Sequence, residues 1–166
     1  MNYNFFFNIK KISKIINHKK MKLILLWTLL GLSLSYNAGA AISYARTYCS
    51  NYNSAFINYR NLGGDCANFV SQCLMAGGQD FNGCGGKDSK GTLPLVSNLR
   101  SCLQKKGWHY TRGVSRNFRA GYPFFNGNSH AMIATGVNGG TVTFCGHTND
   151  RCDYTINNPN YDYFYL

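Results

Sequence analysis

The stretch GGDCANFVSQCLMAGG, residues 63–78, sets Asp65 and Cys66 at the start of a helix-period pattern, with a glycine pair on either side. The first N–H groups of a helix are unpaired and its dipole is positive there, so a thiolate placed in the first turn has a lowered pKa. Asp65, a good N-cap residue type, would hold the helix start, and the backbone N–H of Cys66 could help to stabilise the oxyanion of a tetrahedral intermediate. The competing reading of Cys66 is an ordinary half-cystine, because the chain has seven cysteines.

A cysteine nucleophile needs a base, which the fold supplies from elsewhere in the sequence. Of the four histidines, His18 lies in the leader and His109 sits between Trp108 and Tyr110 as a strand residue. That leaves His130 and His147, joined by HAMIATGVNGGTVTFCGH. A two-residue turn at Asn138-Gly139 gives paired numbers summing to 277 and sets His147 across from His130. A turn at Gly139-Gly140 gives 279 and sets Asn149 there. Either register supplies a polar side chain able to orient the imidazole of His130, the third role in a Cys-His-polar triad. The competing reading is that both histidines are polar residues at strand ends.

Positioning these residues falls to a chain whose first forty residues are unlike the rest. After Met21-Lys22 come fourteen uncharged residues, LILLWTLLGLSLSY, then Ala38-Gly39-Ala40, a small-x-small cleavage pattern. The run is short of the roughly 20 residues that a membrane span requires. The reading is a leader over 1–40, with Met21 as a candidate start, a secreted domain over 41–166, and no stable membrane insertion. Removing 1–40 removes six lysines and no acid, so the formal charge falls from +11 to +5. The remainder has eleven Lys/Arg, six Asp and no Glu, which suits an acidic polymer or cell surface without identifying one. No basic run interleaved with aromatics points to nucleic acid.

Within 41–166 helices come first and strands second, which predicts an α+β fold with an antiparallel sheet. Ala41, Ala45, Tyr48 and Tyr52 fall on one helical stripe; Cys66, Phe69, Val70, Cys73 and Leu74 form another, ended by Gly77-Gly78. Thr92-Leu93-Pro94 opens a third helix, closed by Lys105-Lys106-Gly107. Then come the β-prone runs WHY, YPFF, HAMIATGV, TVTFCGH and DYFYL, separated by Asn and Gly.

All seven cysteines follow the leader, which suits an oxidising compartment. Seven is odd, so pairing six leaves one thiol, and Cys66 is the candidate. Zinc at Cys145, His147, Asp150 and Cys152 is disfavoured because paired C-x2-C knuckles are absent. No phosphate loop or G-x-S-x-G elbow is present, and carboxylates are too few for a glycosidase pair. No cofactor and no metal are implied.

The segments AISYARTYCSNYN, GGDCANFVSQCLMAGG, HAMIATGVNGG and GHTNDR, in this order, resemble the putative amidase domain of secreted proteins, a relative of CHAP-type papain-like cysteine hydrolases. The resemblance covers roughly 41–151. It implies a papain-like α+β fold, with the nucleophile at Cys66, the base at His130, and the third polar position within His147 to Asn149. Tyr59 is the candidate for the upstream oxyanion residue. The expected function is that of a secreted, monomeric cysteine amidase or peptidase acting on a peptide or peptidoglycan-like substrate. Its rival is a catalytically silent, disulfide-rich binding module on a cell surface; a transferase using the same acyl-enzyme is a further alternative.

Overall fold

The computed structural model describes residues 20–22, 36–157 and 160–166. The chain divides into two units, 1–35 and 36–166. Of the first unit only residues 20–22 are described, as a short helical stretch, so the leader expectation falls mostly outside the described residues. Among the described residues no helix is long and apolar enough to cross a membrane.

The second unit is α+β. Three helices, α1 (Ala38–Tyr48), α2 (Cys66–Ala76) and α3 (Val96–Lys105), precede six strands. The strands are β1 (His109–Arg112), β2 (Pro123–Asn126), β3 (His130–Asn138), β4 (Thr141–Gly146), β5 (Arg151–Ile156) and β6 (Asp162–Tyr165), in one antiparallel sheet of order β1-β6-β2-β3-β4-β5. Both faces of the sheet are covered. On one, Phe69, Val70 and Cys73 of α2 and Leu99 and Leu103 of α3 pack against Ala131 and Ile133 of β3 and Cys145 of β4. On the other, Phe124, Met132, Ala134, Val142, Phe144 and Tyr163 are covered by Phe118 from the β1–β2 connection. A fully buried side chain of this size contributes ~1.5–3 kcal/mol.

The folded unit starts at Tyr36, five residues ahead of the expected boundary at Ala41. Asn37 caps α1 by accepting the N–H of Ala40 at 3.0 Å, and its own N–H donates to the Gly77 carbonyl at 2.8 Å. The Tyr36 hydroxyl donates to the Gly121 carbonyl at 2.5 Å, and its ring meets Trp108 edge-on at 5.3 Å. A Cβ on Gly121 would stand 2.5 Å from that of Ala38, so only glycine admits this approach. The residues read as a cleavage pattern, Ala38-Gly39-Ala40, are the first turn of α1.

The glycine stop after α2 and the Lys-Lys-Gly close of α3 lie where the sequence puts them. Pro94 stands before α3, which opens at Val96. The β3–β4 turn is Gly139-Gly140, with Asn138 paired to Thr141. A bulge at Thr135 then shifts the register, so that Ile133 faces Cys145 and paired numbers sum to 278. Followed to the start of β3, that register sets His130 level with Thr148, between the two residues expected.

Two disulfides are present. Cys49–Cys152 ties the end of α1 to β5, and Cys84–Cys102 ties the glycine-rich loop to α3. Cys66, Cys73 and Cys145 are free and buried.

Candidate active site

The N-terminus of α2, the start of β3 and the end of β4 meet at one end of the sheet. Gly63 and Gly64, at φ 107° and 117°, turn the chain into α2 in a conformation that favours glycine. Beside Gly64, where a Cβ would stand, the Thr148 hydroxyl lies at 3.6 Å. Cys66 is the first residue of the helix and keeps 8% exposure, whereas Cys73 and Cys145 have none. Burial pushes the Cys73 thiol well up, with Cys145 adding to the effect, and burial raises Cys145 as well. These two are packing residues in their thiol form.

Asp65 occupies the N-cap position of α2 but makes no side-chain cap bond, which corrects the capping role expected of it. Its Oδ1 accepts the backbone N–H of Tyr59 at 2.9 Å and the Asn68 side-chain amide at 2.8 Å, while Oδ2 lies 2.5 Å from His147 Nδ1. The carboxylate points backwards into the protein, away from the helix start. Among the described residues no acceptor meets the N–H groups of Cys66, Ala67 and Asn68; the first helical bond is Phe69 N–H to the Asp65 carbonyl. Those N–H groups are the expected oxyanion donors, and the site leaves them open.

His147 is 2% exposed and stacked between Phe69 at 3.9 Å and Tyr52 at 4.2 Å, centroid to centroid. Its Nε2–H donates to the Tyr48 carbonyl, the last of α1, at 2.8 Å. A carbonyl can only accept, so Nε2 carries a proton and Nδ1 shares one with Asp65. Both ring nitrogens are thus engaged by Asp65 and the Tyr48 carbonyl, and neither by His130 or Cys66. His147 fastens the end of α1 to the residue before the cysteine. Asn149 lies exposed in the β4–β5 turn and is not brought to His130 by any hydrogen bond. The Tyr59 hydroxyl donates to Asp88 Oδ2 at 3.1 Å, so it is not a free oxyanion donor.

His130 opens β3 and is half-buried. Strand alternation puts it with Met132 rather than with Ala131 and Ile133, on the face of the sheet opposite the one that α2 covers. Among the described residues no hydrogen bond joins His130 and Cys66. Burial first, and the Arg151 guanidinium second, hold its pKa below the ordinary value of 6.5. It is therefore neutral at neutral pH, the form a base requires.

Asn126 escaped the sequence reading. It pairs with His130 across β2–β3 and is the polar side chain next to it. The turn signal NGNS, between YPFF and HAM, was the clue available. Cys152, weighed earlier as a zinc ligand, is in a disulfide, and among the described residues no cluster of His, Cys, Asp or Glu is placed to hold a metal.

The comparison with known families falls on the three helices and β1. Residues 35–120 match the model of the putative amidase domain, and the chain belongs to that family. The matched stretch holds Asp65 and Cys66 and ends before His130 and His147. No curated protein matches the chain.

Proposed function

We propose that the protein is a secreted cysteine amidase or peptidase of papain-like type, acting on peptide or peptidoglycan-type amides. The observation that carries this reading is Cys66 itself: unpaired, 8% exposed, and first in a helix whose opening N–H groups have no acceptor among the described residues. Membership of an amidase family supports the reaction class, and the two disulfides support an oxidising destination.

His130 takes the Cys66 proton as the sulfur attacks the amide carbonyl carbon. The carbonyl electron pair moves onto oxygen, which the N–H groups at the start of α2 stabilise. Collapse breaks the C–N bond, and His130 returns its proton to the leaving amine. Water then attacks the thioester, His130 accepts its proton, and the acid and the free thiol are released. Asn126, across from His130, is the neighbour able to orient the imidazole, and the apparatus is a dyad with a polar companion.

The test is alkylation of the unreduced secreted protein at mildly acidic pH, followed by peptide mass spectrometry. Selective labelling of Cys66 with loss of amide hydrolysis is expected. Recovery of Cys66 in a disulfide overturns the reading in favour of a silent binding module, and hydrolysis that survives its labelling overturns Cys66 as the nucleophile.

A further inference from the structure

Asn68, the third residue of α2, is fully buried, and every hydrogen-bonding group of its side chain is engaged. Its Nδ2 donates to the Ile57 carbonyl and to Asp65 Oδ1, both at 2.8 Å. Its Oδ1 accepts the hydroxyl of Thr92, also fully buried, at 2.6 Å. Both partners of Nδ2 are acceptors, so the amide has one orientation, with its donors toward Asp65.

The other capped helix of the chain shows what this arrangement replaces. In α1 the N-cap Asn37 accepts the backbone N–H of Ala40, three residues on. The equivalent donor in α2 is the backbone N–H of Asn68. In a capping box the N-cap side chain takes that N–H and the third residue's side chain reaches back to the N-cap backbone. Here the same two positions meet side chain to side chain, and neither uses up an opening N–H. Asp65 has ψ 5° where Asn37 has ψ 92°, so the backbone too is turned out of the extended conformation that capping requires. A carboxylate in the cap position would occupy the N–H groups that stabilise the oxyanion, and its charge would stand beside the Cys66 thiolate and disfavour it.

Resting on the amidase reading above, we propose that Asn68 is a positioning residue for Cys66. Its side-chain amide takes the Asp65 oxygen that its own backbone N–H would otherwise bind, and so keeps the start of α2 free of a carboxylate. The Tyr59 N–H and His147 hold the same carboxylate, but only for Asn68 is the competing donor its own backbone. The pattern Asp-x-x-Asn at 65–68 is the sequence form of this device.

Two measurements on the full secreted protein test it: NMR scalar coupling through hydrogen bonds to the Asp65 carboxyl carbon, and the pH profile of Cys66 labelling by neutral iodoacetamide. In the wild type, coupling is expected from the Tyr59 amide and not from the backbone amide of Asn68. In Asn68→Ala, coupling to the backbone amide of residue 68 should emerge. The labelling profile should move to higher pH, with the rate on its acidic limb down about tenfold, the scale of one like charge brought near a thiolate. A merely structural asparagine would lower the melting temperature and leave that profile where it is. Coupling from the backbone amide of Asn68 in the wild type overturns the positioning role, and this measurement decides alone if Asn68→Ala does not fold. A profile unmoved in folded Asn68→Ala overturns the role as well, and both outcomes leave the amidase reading intact. Failure of wild-type Cys66 to label across the whole pH range overturns the amidase reading, and the role with it.

Discussion

Asp65 Oδ2 and His147 Nδ1 stand 2.5 Å apart, both side chains almost fully buried, and join the residue before Cys66 to the end of β4. Removing the imidazole leaves a buried carboxylate without one of its partners. His147→Ala should therefore cost about 3–5 kcal/mol of stability, the range for breaking a buried pair. Urea unfolding measures it. A change below about 1 kcal/mol would place His147 outside the scaffold and return it to candidacy as an orienting residue.

Cys66→Ser and His130→Ala should behave in the opposite way. Each should abolish amide hydrolysis and leave the thermal midpoint within a few degrees of wild type, since neither side chain holds a hydrogen bond that the fold needs. Calorimetry alongside a peptide-amide assay decides this. A large loss of stability in both would favour a structural thiol and a structural histidine.

The charge state of His130 carries a pH dependence. Its folded pKa lies below 6.5, so between the folded and unfolded values the unfolded chain binds more protons. This contribution to stability is complete above the unfolded value and is lost as pH falls through the window between the two. Arg151→Gln removes a like charge and should move the His130 titration to higher pH, read by the imidazole NMR shift in a Cys66→Ser background. A titration unmoved by that change would show that Arg151 does not face the ring.

The start of the domain can be tested by truncation. A chain beginning at Ala41 lacks the Tyr36 ring and hydroxyl contacts, the Asn37 cap and the first turn of α1. The cap alone is worth about 1 kcal/mol, and the partly buried Tyr36 ring adds to it. The version starting at Tyr36 should be cooperative and soluble, and the one starting at Ala41 should melt at least 10 degrees lower or aggregate. Equal midpoints would show that residues 36–40 are dispensable.

Helix ends and most strands were legible because they depend on local chemistry. Gly77, Gly107 and the apolar run of β3 leave little choice. β5 was not, since RCDYTI mixes charge with β-branched residues at an edge of the sheet, where only one neighbour constrains it. The turn residues Asn138-Gly139-Gly140 offered two registers, and the bulge at Thr135 selected a third. That bulge has no signature in the sequence, because it depends on Thr135 reaching Asp153 at 2.5 Å. The place of Cys66 at the start of α2 could be read from the helix-period pattern. The use of Asp65 could not, because local spacing favours a cap, whereas the fold brings His147 from 82 residues away and turns the carboxylate inward.

That long reach bears on the order of events in a growing chain. His147 must be present before Asp65 and the Tyr48 carbonyl find their partner, and Cys152 must be present before Cys49 is bridged. Contacts of such separation form late in folding. During synthesis the cysteine end of α2 therefore has only the Tyr59 and Asn68 contacts of Asp65 until β4 brings His147 to it.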